Sequence, residues 1–337
     1  MSHSNFNFKK INIREQKINK LQAHLELMLL IRKTEVQLAK CKEEGIIKGP
    51  IHLSVGQEAV AVGVSTALKK KDRVFGAHRS HSHILALNPN PYKLFAEVLG
   101  KKTGFSRGMG GSMHLWDKPN GFYGSVPIVA GTVPLAVGAG LAAKLQKTKD
   151  ISLVYLGDGA VEEGVVHESL NLAKIQNLPV IFVVENNLFA SHMHVSLRQS
   201  SDKMARFAEA NSIPFKVVDG NNIIDVINAS KSLVTNARNG SGPGLIEVIT
   251  YRWYGHVDWR EDIDVGVNRS LEDVQNWKKR DPIKRLQNAM EDENIWSEVK
   301  QKKLEYDLDN IIINAWNKAI EDEYPLPSST LDYVFYK

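Results

Sequence analysis

The chain has 337 residues, enough for a large buried core, and its 43% hydrophobic and 24% charged residues are typical of a globular protein. Its net charge of +5 comes from scattered lysines, so we expect no nucleic-acid partner. No apolar run is long enough to cross a bilayer, and residues 1–20 lack the apolar segment of a signal peptide. Cys41 is the single cysteine and cannot form an intrachain disulfide, so we expect a cytoplasmic protein without a membrane partner.

Two helices are the first predicted elements. Apolar residues recur at helical spacing over residues 21–44, and Gly45 follows as a C-terminal cap. Residues 1–20 are rich in Asn and Lys, and we expect them to form a frayed extension before this helix. A second helix is predicted over residues 57–70.

Residues 101–131 have a different character, with seven glycines and little periodicity. A stretch of this length without regular structure is uncommon inside a compact domain. Long loops often carry function, so we expect this glycine-rich segment to wrap around a ligand.

The clearest architectural pattern begins after this segment. A short apolar run at residues 151–156 is typical of a buried parallel strand, and Gly157-Asp158-Gly159 ends it. A helical pattern over residues 162–176 leads to a second apolar run at 180–184, which ends at Glu185-Asn186-Asn187. This succession predicts a βαβ unit.

The same alternation continues towards the C-terminus. Strand-like runs at residues 215–218 and 245–250 flank a helical pattern at 223–237, and polar amphipathic helices follow from about residue 270. We therefore predict an α/β fold with a doubly wound, mostly parallel sheet and helical additions at both ends. Because no repeat or low-complexity linker interrupts residues 21–337, we expect them to form one domain.

Two polar residues follow the two strands of the predicted βαβ unit. In an open parallel sheet, ligands bind beyond the carboxyl ends of the strands, so Asp158 and Asn187 should lie side by side there. Their oxygens suit Mg²⁺, while Gly157 and Gly159 allow a diphosphate to approach the backbone. Taken alone, Gly-Asp-Gly is also a common turn, but its pairing with Asn187 favours a metal-diphosphate site.

At this point the sequence resembles a known family. Residues 157–160 (GDGA) and 185–187 (ENN), with the helix between them, resemble the thiamin diphosphate motif in alpha subunits of 2-oxo acid dehydrogenases of the pyruvate, branched-chain and acetoin types. The similarity covers about residues 21–286. Further matching motifs are 52–59 (HLSVGQEA), 77–81 (AHRSH), 110–114 (GGSMH), 122–124 (FYG), 250–252 (TYR) and 255–256 (GH).

The resemblance implies a specific set of metal and cofactor contacts. Asp158 and Asn187 would ligate Mg²⁺ by their side chains, and Phe189 by its backbone carbonyl. Arg79 would hold oxygens of the diphosphate, beside His78, where the pyruvate enzymes have tyrosine. The full set of implied cofactor contacts is His78, Arg79, Pro127, Val129, Gly157, Asp158, Gly159, Ala160, Asn187 and His256. In this set Pro127 and Val129 would contact the aminopyrimidine by backbone groups, although a proline offers only its carbonyl.

The resemblance also implies roles for three of the eleven histidines, a residue type suited to proton transfer near neutral pH. His52 would face the substrate, His81 would lie near the cofactor, and His256 would reach the diphosphate or the substrate from a loop. We predict these three as catalytic residues. For His83, His192 and His194 we expect ordinary structural positions.

A partner chain is part of what the resemblance implies. In two-subunit relatives a beta-type subunit supplies the pyrimidine-binding domain and the catalytic glutamate, so this chain alone should be inactive. The expected substrate is a small 2-oxo compound, and a lipoyl acyltransferase is an expected further partner.

The loop after His256 departs from the family pattern. Val257-Asp258-Trp259 stands where the pyruvate enzymes carry a phosphorylatable serine, and Val267-Asn268 replaces a Tyr-Arg pair. Residues 258–264 are acidic, which leaves the acyl acceptor open. A split transketolase-like or carboligating enzyme is therefore an alternative, and a non-catalytic subunit is an alternative of another class.

Overall fold

A six-stranded parallel sheet forms the centre of the protein. The computed structural model describes residues 9–261, 263–264 and 267–332. The strands are β1 (Arg73–Gly76), β2 (Phe122–Ser125), β3 (Ser152–Gly157), β4 (Val180–Asn186), β5 (Phe189–Ala190), β6 (Met193–His194), β7 (Phe215–Asp219), β8 (Gly244–Ile249), β9 (Ile263–Asp264) and β10 (Val267–Asn268). The central sheet has the order β2-β1-β3-β4-β8-β7, and all its neighbours are parallel. β5–β6 and β9–β10 are short antiparallel pairs.

Helices cover both faces of this sheet. They are α1 (Ile18–Glu43), α2 (Glu58–Ser65), α3 (His81–Leu87), α4 (Pro91–Val98), α5 (Val133–Leu145), α6 (Gly164–Ile175), α7 (Arg206–Ala210), α8 (Ile223–Arg238), α9 (Leu271–Lys278), α10 (Pro282–Asp292) and α11 (Glu298–Glu321). Successive side chains of a strand point to opposite faces. In β3, Leu153 and Tyr155 belong to the core shared with α1, α2 and α8, whereas Val154 and Leu156 pack with α5 and α6. The predicted doubly wound α/β class is thereby confirmed.

The helical additions are also present. α10 and α11 follow the last strand, and α11 packs against α1 and α4. Among the described residues, no helix combines the length and the apolar character that a membrane span requires.

The N-terminal extension packs against the body instead of fraying. Ile11 and Ile13 are buried in the core, and Lys10 forms an ion pair with Asp292 of α10. Residues 1–8 lie outside the described part of the chain. The expectation of a frayed segment is therefore wrong for residues 10–13. Ile11 and Ile13 pack against apolar residues that are distant in the sequence, so the local pattern does not reveal these contacts.

The second helix is shorter than its sequence pattern predicts. α2 ends at Ser65 because the hydroxyls of Ser65 and Thr66 donate to backbone carbonyls one turn earlier, which weakens the continuation of the helix. The carboxylate of Asp72 then accepts the N–H of Lys69 and helps to turn the chain into β1. The sequence pattern misses β1 and β2 altogether, since each has only four residues and no sustained alternation.

A largely buried ion cluster joins three helices. Arg32 of α1 donates to both carboxylate oxygens of Glu58 in α2, and its guanidinium lies 3.1 Å from Asp281, the N-cap of α10. Glu58 also accepts the N–H of Gly56. The guanidinium lies over the ring of Trp253 at 4.2 Å. Because a buried charge is costly without its partner, this cluster should respond strongly to the loss of one member.

We expect Glu58→Ala to lower the free energy of unfolding by about 3–5 kcal/mol, because it leaves Arg32 buried with only Asp281. The matched control is Glu298→Ala, which removes an exposed pair with Lys302 and should leave the free energy of unfolding nearly unchanged. Urea denaturation of both variants measures the difference. Equal losses would contradict the importance given to this cluster.

Candidate active site

Three neighbouring strands deliver polar residues to one edge of the sheet. β3 pairs with β4 in parallel, with Gly157 opposite Glu185, so Asp158 and Asn187 emerge beside each other at the carboxyl edge. β1 pairs with β3 on its other side and leads into His78 and Arg79. The expectation that Asp158 and Asn187 lie together agrees with this geometry, and β1 explains why Arg79 joins them.

A cleft of about 410 Å³ opens at this edge. Every residue predicted for the site lines it except His81. The lining comprises His52, Ala77, His78, Arg79, Met113, Pro127, Val129, Ala130, Gly157, Asp158, Gly159, Ala160, Glu163, Glu185, Asn187, Phe189, Ala190, Ser191 and His256.

Asp158 is buried at the floor of the cleft and pairs with Arg198. The guanidinium of Arg198 also contacts Glu162. Arg198 directly follows the short helical turn Val195–Leu197, which comes after the β5–β6 pair. Burial raises the pKa of Asp158, and the charge of Arg198 opposes that rise. Sequence reasoning misses Arg198, because no motif connects it with Asp158 forty residues earlier.

Asn187 is held by two hydrogen bonds that define its amide orientation. Its Nδ2 donates to Oε1 of Gln57 at 3.0 Å, and its Oδ1 accepts the N–H of Phe189 at 3.2 Å. The side chains of Asn187 and Gln57 are both buried. Gln57 lies within a matching motif, yet its identity alone gives no sign of this contact 130 residues along the chain.

Three histidine rings cluster on one side of the cleft. The ring centroids of His52, His78 and His256 lie 4.9–5.2 Å apart. Arg79 contacts this cluster, with its Nη2 at 3.2 Å from Nδ1 and 3.1 Å from the backbone oxygen of His256. Its Nη1 donates to the carbonyl of Leu53 at 2.7 Å.

Burial keeps these imidazoles neutral. Desolvation, followed by the charge of Arg79, lowers the pKa of His52 to about 2 and that of His78 to about 3, and it also lowers the pKa of His256. Ring nitrogens of the three residues lie within 4.8 Å of one another, which is close enough for the three to share one metal ion. A cation there would be repelled by Arg79, so the cluster favours an anion that accepts imidazole N–H groups.

His81 lies behind the wall of the cleft. Its Nε2 is 2.8 Å from Oγ of Ser112, and its Nδ1 is 3.3 Å from Glu35. Ser112 in turn receives the N–H of His52 at 3.4 Å. His81 is therefore linked through Ser112 to the backbone of His52, and a direct role in proton transfer stays a prediction.

His83, His192 and His194 do not line the cleft. His83 is buried, contacts Ser80 and Glu185, and stacks on Tyr155 with ring centroids 3.7 Å apart. His192 is exposed, and His194 contacts Ser196.

The glycine-rich segment wraps mainly around a protein carboxylate. Glu97 of α4 accepts four backbone N–H groups at 2.5–3.1 Å, from Ser106, Gly108, Gly110 and Gly111. Met113 and, later in the segment, Pro127, Val129 and Ala130 line the cleft. The expectation that the whole segment wraps a ligand is therefore wrong for residues 104–111, where the buried carboxylate fills the loop.

Fold and site together define a doubly wound α/β protein that places a buried carboxylate, an amide and an arginine at the carboxyl edge of its sheet. Comparison with known proteins agrees with this class. The family model described as dehydrogenase E1 component matches residues 26–328. The chain belongs to this family of dehydrogenase E1 components.

Several relatives cover nearly the whole chain. The alpha subunit of acetoin:2,6-dichlorophenolindophenol oxidoreductase from Bacillus subtilis is 36% identical over 312 residues, which is 91% of each chain. The pyruvate dehydrogenase E1 component subunit alpha of Rhizobium meliloti is 36% identical over 306 residues, covering 90% of this chain and 86% of the relative. The corresponding subunit of Rickettsia felis is 35% identical over 300 residues, 89% and 90% of the two chains.

The neutral histidine cluster has a consequence for stability at low pH. The pKa of His78 is about 3 in the folded chain and about 6.5 in an unfolded one, so the unfolded state binds more protons between these values. The free energy of unfolding therefore falls as the pH falls from 6 to 4. His78→Phe should reduce this slope by up to about 1.4 kcal/mol per pH unit.

Urea unfolding of wild type and His78→Phe at pH 6, 5 and 4 measures the two slopes. His192→Phe changes an exposed histidine outside the cleft and should leave the slope of the wild type in place. Identical slopes for wild type and His78→Phe would show that the ring is protonated in the folded protein.

Proposed function

We propose that this chain is the alpha-type subunit of a heteromeric, thiamin diphosphate- and Mg²⁺-dependent dehydrogenase that cleaves a small 2-oxo compound or acetoin. The observation that carries the proposal is the placement of Asp158, Asn187 and Arg79 in one cleft at the ends of three adjacent strands. Membership of the dehydrogenase E1 component family supports thiamin diphosphate as the cofactor.

The residues of the cleft fit a metal-bound diphosphate. Asp158 and Asn187 offer hard oxygen donors, the carbonyl of Phe189 is a third, and Mg²⁺ takes further ligands from phosphate oxygens. Arg79 supplies a permanent positive charge, which suits a diphosphate. At Gly159 a Cβ would meet the Cβ of Ala190 at 2.6 Å, so glycine is needed where the backbone lines the cleft.

The remaining residues of the predicted set divide between the two ends of the cofactor. His78 and His256 stand beside Arg79, where neutral rings can donate an N–H to phosphate oxygens. Gly157 and Ala160 line the part of the cleft assigned to the diphosphate, and Pro127 and Val129 line the part assigned to the aminopyrimidine.

We assign to His52 the exchange of a proton with the substrate. It lines the cleft, and its buried Nδ1 has no hydrogen-bond partner among the described residues. When bound, thiamin diphosphate supplies the nucleophilic carbon and the electron sink that cleavage beside a carbonyl requires. The protein contributes binding, orientation and the exclusion of water.

A beta-type subunit is the partner that we propose for the open side of the cleft. Two relatives are named as alpha subunits, of the acetoin and the pyruvate enzyme. Ile128 and Val129, beside the cleft, are 71% and 49% exposed, which suits burial against a second chain. That chain would supply the pyrimidine-binding domain and the catalytic glutamate. A lipoyl acyltransferase as acyl acceptor and a cytoplasmic location belong to the same proposal.

The direct test is co-expression with the beta-type chain, followed by assays with pyruvate, acetoin and branched-chain 2-oxo acids and an artificial electron acceptor. Turnover should require thiamin diphosphate and Mg²⁺. Asp158→Ala should reduce turnover by more than about 100-fold, because losing a direct metal ligand should cost more than losing a residue that only contacts a ligand. Asp150→Ala, just before the opposite end of β3, is the control and should retain activity. Failure of the wild type to bind thiamin diphosphate would refute the proposal.

Arg198 provides a second prediction, because its guanidinium lies against the carboxylate that the metal needs. Arg198→Ala should tighten the binding of Mn²⁺, used alone as a probe for Mg²⁺, by about 10-fold or more, since a charge-assisted bond no longer competes. Arg206→Ala, whose side chain contacts Gln199 and Ser200, should leave the affinity unchanged. Weaker binding in Arg198→Ala would contradict this competition.

A further inference from the structure

The amide of Asn187 has two ends, and only its oxygen can bind a cation. Phe189 donates its N–H to Oδ1 at 3.2 Å, so the oxygen must lie on that side. With the amide reversed, two N–H groups would face each other there. The opposite end, Nδ2, then requires an acceptor, and Oε1 of Gln57 provides it at 3.0 Å.

The backbone around Gln57 is fixed by packing that the metal site itself does not need. Gly56 has a φ of +99°, and a Cβ there would lie 2.6 Å from the carbonyl oxygen of Tyr251 and 2.8 Å from the ring of Trp253. The N–H of Gln57 donates to the carbonyl of Ser54 at 2.9 Å. Gln57 is thus the N-cap residue of α2, in a position that the Arg32–Glu58 pair stabilises through Gly56.

Only one of the two polar atoms in the side chain of Gln57 forms a hydrogen bond within the described residues. Its Oε1 accepts from Asn187, whereas its Nε2 is buried and has no hydrogen-bond partner among the described residues. A buried amide nitrogen without a partner is unfavourable for folding, and an apolar side chain of the same size would avoid it. The feature that glutamine adds at this position is the acceptor for Asn187.

We propose that Gln57 is a positioning residue that orients the amide of Asn187 so that Oδ1 faces the cation. The inference rests on the proposed function, because it takes Asn187 as a metal ligand. Gln57 does not line the cleft and acts on the metal only through Asn187. Outer contacts of this kind typically change metal affinity by 10–100-fold.

The test measures Mn²⁺ binding to the complex of the full-length chain and the beta-type chain with thiamin diphosphate, from the electron paramagnetic resonance signal of unbound Mn²⁺. Gln57→Met removes the acceptor and should weaken binding by about 10–100-fold. Gln57→Glu keeps an acceptor and should stay within about threefold of wild type. Gln57→Leu replaces Gln57→Met if the latter does not fold.

The control that separates orientation from general structure is the Asn187→Asp background. Both ends of an aspartate are oxygens, so Gln57→Met should change Mn²⁺ affinity there by less than about threefold. Equal losses in the two backgrounds, or no loss in either, would overturn the role of Gln57. Absence of Mn²⁺ binding in the wild type would instead overturn the proposed function, and this inference with it.

Discussion

The parallel pairing of β3 with β4 is the constraint on which the rest of the site depends. Hydrogen bonds fix Gly157 opposite Glu185, so the residues that leave the two strands emerge at the same height. Both strands are buried on their two faces, which makes a shift of register costly. Asp158 and Asn187 therefore emerge side by side at this edge of the sheet.

Buried glutamates on helices organise the loops that surround this edge. Glu35 accepts the N–H and the hydroxyl of Ser54, and Glu58 accepts the N–H of Gly56. Glu97 holds four N–H groups of the glycine-rich segment. In each case a carboxylate satisfies loop backbone that would otherwise be buried without partners, so loops lacking regular structure keep one conformation.

Charge is distributed unevenly within the cleft. Asp158 supplies negative charge on the floor, whereas Arg79 and the three neutral imidazoles form a side that attracts anions. A metal ion bound to a diphosphate would be complementary to both sides, because its cation would face Asp158 and its anion would face Arg79. Arg198 partly neutralises Asp158 in the structure and occupies the side where the cation would bind.

The sequence by itself determined the parallel α/β class, the βαβ unit and the meeting of Asp158 with Asn187, because strand periodicity and glycine-bounded strand ends are local features. Most of the other residues predicted for the cleft came from the resemblance to a known family. Tertiary structure decided what depends on distant contacts. β1 forms from four residues only because β2 and β3 flank it, and Gln57 finds Asn187 across 130 positions. Arg198 likewise reaches Asp158 from a separate turn. A contact between distant segments leaves no periodic trace in either segment, so packing of the whole chain was needed to reveal it.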